Sequence, residues 1–276
     1  MTSRPARDRV PALPRTGEDR IAAAFALRSG QAALMPYVMG GFPDMATSRA
    51  IGEAYAANGA DLLELGVPYS DPLADGPVIH AAATAALRAG ATLDGVLQIG
   101  EALSRRLPVV LMCYVNLVLA RGADAFAANA AAAGVSGLIV PDLPFQESAE
   151  IRDACEAHAI ALVPLVAPTT PDARLQAIGA KARGFLYTVS VVGTTGERAS
   201  GEDSYRTILD RVGRHSSVPV AIGFGISTPE QAAAAARAGA DGVIVGTRLV
   251  RAAAEAEDPA AAVGQLVAEL AGGLIR

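Results

Sequence analysis

Residues 56–77 read AANGADLLELGVPYSDPLADGP, and this stretch holds the pattern that decides the fold. A helix-like alanine segment ends at Gly59. An apolar run over 61–65 follows at once, and then a loop crowded with proline, glycine and aspartate. A glycine just past a helix end takes the left-handed cap conformation at little cost. The same joint recurs as AAAGVSG (131–137) and ARAGADG (236–242), each time helix, glycine, strand.

Eight apolar, β-branched runs follow this scheme along the chain: 34–39, 61–65, 109–114, 137–140, 160–166, 184–189, 218–222 and 242–245. Helical segments alternate with them at 45–58, 78–88, 123–133, 147–158, 171–181, 204–213 and 229–238, with a last one at 259–270. Two further helices are expected, one before the first strand (18–29) and one between the second and third units (91–106). The runs are apolar on both faces, as buried parallel strands are. Eight such units without a polar linker predict one closed (β/α)8 TIM barrel with an extra N-terminal helix, over 17–276. The rival pattern is an open, doubly wound sheet. The chain's 276 residues suit the barrel, which takes about 250.

Composition narrows the function. Hydrophobic residues make up 51 % and charged residues 18 %, with a net charge of −5 and no long basic run, which argues against nucleic-acid binding. No uncharged apolar stretch approaches the roughly 20 residues that span a bilayer. Cys113 and Cys155 sit in apolar runs without a CxxC, which reads as buried cytoplasmic thiols. His80, His158 and His215 lack metal-ligand spacing. Residues 1–16, with four arginines and three prolines, read as a disordered extension without the apolar core of a secretion signal.

Barrel sites form at the C-terminal ends of the strands. Glu64 ends the second run and Asp75 lies in the loop after it. Two carboxylates so placed suit acid/base chemistry, although Glu64 as the partner of a rim arginine and Asp75 as the brace of its Asp-Gly-Pro turn are the plain structural alternatives. Tyr187 lies on the sixth run and reads as site or core. Asp142, in VPDLP, reads equally as a site residue or a loop brace, and His80 as structural. The polar, glycine-rich 190–201 after the sixth run has the composition of a lid. GFG (223–225) and VGT (245–247) occupy the last two strand–helix joints, where barrels commonly bind phosphate on backbone N–H groups.

The fourteen residues ELGVPYSDPLADGP (64–77) resemble the signature of the tryptophan synthase alpha chain family. MPYVMGGFPD (35–44), LMCYVN (111–116), GLIVPDLP (137–144), FLYTVSVVGTTGER (185–198), GFGISTPEQ (223–231) and AGADGVIVGT (238–247) follow in that family's order. The resemblance implies a lyase that cleaves indole-3-glycerol phosphate to indole and glyceraldehyde 3-phosphate. It implies Glu64 as acid/base and Asp75 as acceptor of the indole N–H. Tyr37 would lie against the indole ring and Tyr187 close to Glu64. Gly196, Gly225, Gly246 and Thr247 would hold the phosphate, and Thr195 would be the lid threonine, with Thr194 as the adjacent alternative. It also implies a cytoplasmic chain with no cofactor of its own. That chain would join a pyridoxal phosphate-dependent beta chain in an α2β2 heterotetramer, through 69–72 and Asn116. Two rival readings are another phosphate-barrel enzyme, whose synthase form needs a lysine at a strand end, and a non-catalytic activator of a beta chain. Lys181, the only lysine, stands at the end of a helical segment instead.

Overall fold

The computed structural model describes residues 16–28, 30–189, 202–223 and 225–274. Nine strands are seen among them: β1 (Ala33–Met39), β2 (Leu63–Gly66), β3 (Val109–Met112), β4 (Val135–Ile139), β5 (Ala161–Leu162), β6 (Leu165–Val166), β7 (Leu186–Val189), β8 (Val220–Gly223) and β9 (Gly242–Val245). Their order in the sheet is β5, β4, β3, β2, β1, β9, β8, β7, β6, all parallel. The two ends of that order, β5 and β6, are neighbours in sequence. The sheet therefore closes on itself as a barrel, and the open doubly wound alternative fails.

The run 160–166 is one strand of the eight but is divided in the middle. Pro164 has no N–H to give to a ladder. The Val163 N–H donates to Leu138 O at 2.9 Å on one side, and Pro164 O accepts from Tyr187 N–H at 3.0 Å on the other. Closure runs through this divided strand.

Helices α1 (Gly17–Ala26), α2 (Met45–Ala57), α3 (Pro77–Arg88), α4 (Leu93–Ser104), α5 (Val115–Arg121), α6 (Ala123–Ala132), α7 (Ala149–Ala157), α8 (Asp172–Gly179), α9 (Glu202–Gly213), α10 (Pro229–Arg237), α11 (Thr247–Glu255) and α12 (Pro259–Gly273) surround the strands. The repeated joints behave as read: Gly59, Gly134 and Gly239 have φ of 102°, 72° and 104°. Helix α5 is an addition to the expected elements, since the pattern assigns nothing to 115–121, and β3 stops at Met112, short of the run's end at 114. Seven residues are too few to display helical periodicity. Asp61, read as the start of the second strand, lies before β2. Its carboxylate accepts Leu34 N–H at 2.9 Å and pairs with Arg28 at 2.7 Å.

Strand alternation sorts the side chains into two cores. Leu34, Leu63, Leu65, Val109, Leu138 and Val243 face outward against the helices. Met35, Leu62, Val110, Ile139, Phe185 and Ile244 face into the barrel. Helix α1 closes the lower end: its Ile21 and Phe25 join the interior core. A capping box fixes its start. Thr16 Oγ1 accepts Asp19 N–H at 3.0 Å, and the Asp19 carboxylate accepts Thr16 N–H at 3.1 Å. Arg20 ties the helix beneath the barrel by donating to Gly134 O at 2.9 Å, to Leu107 O at 3.2 Å and to Ser104 O.

Candidate active site

The alternation that builds the core also places the chemistry. Along β2, Leu63 and Leu65 turn outward, so Glu64 turns inward. It lies level with Tyr37 on β1 and Val110 on β3, and is 1 % exposed. Its Oε1 finds no hydrogen-bond partner among the described residues. Burial, and then the charge of Asp75, push its carboxyl up to about 8.

Asp75 comes from the loop between β2 and α3. Its N–H donates to Pro72 O at 3.2 Å, so the Pro-Leu-Ala-Asp segment folds back as a turn. Burial raises its carboxyl above the usual aspartate value. A hydrogen bond from Tyr114 and the charge of His80 oppose that rise. His80 is exposed on the first turns of α3 and acts on the site only through this charge.

Tyr37 on β1 and Tyr187 on β7 are both buried, and burial holds their phenols well above the ordinary value. Each ring lies over a strand glycine. A Cβ on Gly66 would stand 2.1 Å from the Tyr37 hydroxyl oxygen, and one on Gly223 would stand 2.4 Å from that of Tyr187. These two glycines are the space the tyrosines occupy.

Tyr37, Glu64, Asp75, Tyr187, Gly225, Gly246 and Thr247 all line one cavity of about 580 Å³. Gly225 holds φ at +82° in the joint after β8. Gly246 caps α11 with no side-chain cap on that helix end, and Gly246, Thr247 and Arg248 line the cavity, so this helix start, with its first-turn N–H groups unpaired within the helix, lies at the cavity. Thr194, Thr195 and Gly196, with the rest of 190–201, lie outside the described residues.

Other expectations resolve by geometry. Asp142 Oδ1 accepts Val115 N–H at 2.9 Å, so it braces the start of α5. Cys113 and Cys155 are free and buried, and burial pushes the Cys155 thiol up to about 12. Asn116 is exposed and donates to the Tyr69 hydroxyl at 2.7 Å. Lys181 lines two clefts beside the divided strand, of about 430 and 200 Å³, away from the carboxylates. No group of three His, Cys, Asp or Glu poised for a metal, and no helix long and apolar enough to cross a membrane, is found among the described residues.

The sequence reading missed Met112, Arg248 and Arg251, which line the cavity, and Tyr114, which reaches Asp75. Tyr114 and Met112 lie at the C-terminal end of β3, so the strand-end rule pointed to them. The two arginines are two and five residues past Gly246, on the first turns of α11, where that rule is silent.

The chain matches the family model described as tryptophan synthase alpha chain over residues 24–274. It is 47 % identical over 226 residues to the tryptophan synthase alpha chain of Picosynechococcus, covering 81 % of this chain and 86 % of that one. It is 44 % identical over 245 residues to that of Methanosarcina mazei, covering 89 % and 90 %. Among solved structures it is similar to tryptophan synthase from Mycobacterium tuberculosis, with a TM-score of 0.85 at 40 % identity over 92 % of this chain and 98 % of that chain. The alpha subunit from Legionella pneumophila gives a TM-score of 0.85 at 33 % identity, over 94 % and 98 %. With its barrel, its carboxylate pair and these relatives in agreement, the chain belongs to the tryptophan synthase alpha chain family.

Proposed function

We propose that Glu64 and Asp75 carry the reaction of this family, the retro-aldol cleavage of indole-3-glycerol phosphate to indole and glyceraldehyde 3-phosphate. The observation that supports the assignment most is the buried Glu64, its carboxyl pushed up to about 8 and its Oε1 unsatisfied. Such a group holds its proton near neutral pH and can give it up inside the cavity.

Protonated Glu64 delivers its proton to the indole ring carbon that bears the side chain. Positive charge then develops on the ring nitrogen, whose N–H is accepted by ionised Asp75. The carbon–carbon bond breaks as the Glu64 carboxylate takes the proton of the neighbouring side-chain hydroxyl. The bonding electrons return to the ring, the hydroxyl carbon becomes the aldehyde, and Glu64 ends protonated as it began. Tyr37 packs against the ring and Tyr187 flanks Glu64. The phosphate rests on the N–H groups of Gly225, Gly246 and Thr247, and the family resemblance adds Gly196 to that set and Thr195, or its neighbour Thr194, as the lid threonine.

Indole passes to a beta chain, the partner that membership of this family implies. In our reading the assembly is an α2β2 heterotetramer in the cytoplasm, pyridoxal phosphate belongs to the beta chain, and this chain needs no cofactor. Residues 17–276 act as one domain, and 1–16 are an extension of it.

The test is indole release from indole-3-glycerol phosphate by the purified chain, alone and with a beta chain. Release that rises with the beta chain and is lost in Glu64→Gln is the expected result. No release from folded protein under either condition overturns the assignment. A Glu64→Gln chain that still cleaves overturns the role of Glu64. Under an activator-only reading that substitution would change nothing.

A further inference from the structure

We propose that Tyr114 is a positioning residue for Asp75, holding the carboxylate and its loop in the arrangement that receives the indole N–H. This rests on the function proposed above.

The geometry comes from three sides. Tyr114 sits between β3 and α5 and is 3 % exposed. Its own backbone is fixed because Asp142 holds the next N–H, that of Val115, at 2.9 Å. Its hydroxyl oxygen accepts Ala74 N–H at 3.0 Å, one residue before Asp75. The remaining proton of that hydroxyl is left to serve the Asp75 carboxyl, whose ionised form it favours, within the one-donor, two-acceptor capacity of a phenol. One oxygen therefore holds the loop backbone next to Asp75 and stands ready for the side chain of the same turn. Its ring is backed by Tyr69, with centroids 5.2 Å apart and planes at 23°. Asn116 in turn holds the Tyr69 hydroxyl at 2.7 Å.

The arrangement matters because the loop has little else to fix it. Asp75 is half-buried, Leu73 is 90 % exposed, and Ala74 and Gly76 are exposed. A carboxylate that must meet a ring nitrogen loses rate steeply when misplaced by about 1 Å. The groups that face it are Glu64 from β2, Tyr37 from β1, His80 from α3 and Tyr114, with Arg248 and Arg251 of α11 lining the same cavity. Of these, Tyr114 is the one that also holds the Asp75 loop backbone.

Tyr114→Phe keeps the ring and its stack on Tyr69 and removes only the hydroxyl. In the full chain the expected loss is roughly tenfold in kcat with little change in KM, the size of one hydrogen bond to a charged group. The acidic limb of the pH profile moves to higher pH, because Asp75 loses a donor that favours its ionised form. In an Asp75→Asn background the same substitution costs less than about twofold, since the two act as a unit. An unchanged kcat and acidic limb, or losses that multiply, overturn the proposal.

A measurement independent of activity is the titration of the Asp75 carboxyl by carbon NMR in wild type and Tyr114→Phe. A higher titration point in the variant supports the proposal, and an identical one overturns it. Failure of wild-type cleavage would sink the proposed function while leaving this titration to decide the Tyr114 contact.

Discussion

Glu64 and Asp75 share one cavity and are held in opposite ways. Glu64 stands on a strand, sealed by the barrel wall, with one oxygen unsatisfied among the described residues. Asp75 hangs from an exposed loop and is supplied with a phenol hydroxyl and a nearby imidazole. Burial raises both carboxyls, but only in Asp75 do these groups oppose it. On the roles proposed above, the strand makes a proton carrier of one carboxyl and the loop makes a fixed negative charge of the other.

The largest break in this comparison comes from removing the proton carrier. Glu64→Gln keeps the shape of the side chain and is expected to lower cleavage by roughly 10² to 10⁴, read as indole release per folded chain. Next in size is Gly66→Ala. The added methyl must displace the Tyr37 ring beside Glu64, and we expect about 10² in kcat from the misplacement, with the far-ultraviolet circular dichroism unchanged.

A finer test sharpens the contrast between the two groups. Cleavage needs Glu64 protonated at the outset, so kcat/KM should fall as pH rises through about 8. Asp75→Asn removes the second cause of that high value. In the residual activity of that variant the basic limb moves to lower pH, yet stays above the ordinary carboxylate range because burial, the first cause, remains. A basic limb that does not move would mean the two carboxyls do not sense each other.

The smallest effect is on stability. Glu64 is the reverse of a salt-bridged carboxylate, since its folded value lies above the ordinary 4.5. Between 4.5 and about 8 the folded chain binds a proton that the unfolded chain has released, so stability declines as pH rises across that window. Melting temperatures of wild type should fall from pH 5 to pH 8 more steeply than those of Glu64→Gln, by roughly ten degrees for a chain of this size.

Much of this was legible in the residues. Gly59, Gly134 and Gly239 announced the joints, and the closed barrel followed from their repetition. That Glu64 and Asp75 share a cavity was legible because one ends a strand and the other lies in the loop after it, where barrel sites form. The division of the fifth strand was not legible, because Pro164 reads as a strand residue until one sees that closure needs it only as an acceptor. Tyr114 was passed over because its role depends on Ala74, forty residues away, and no local pattern carries that contact. Arg248 and Arg251 reach the cavity through the direction of α11, which sequence spacing leaves open.

Helix α1 carries a consequence for traffic. With Ile21 and Phe25 seated in the barrel interior, and Met35, Phe185 and Ile244 packed above them, the described floor is stoppered. With the end beneath the strands filled by α1, the function proposed above brings substrate, aldehyde and indole across the rim at the strands' C-terminal ends.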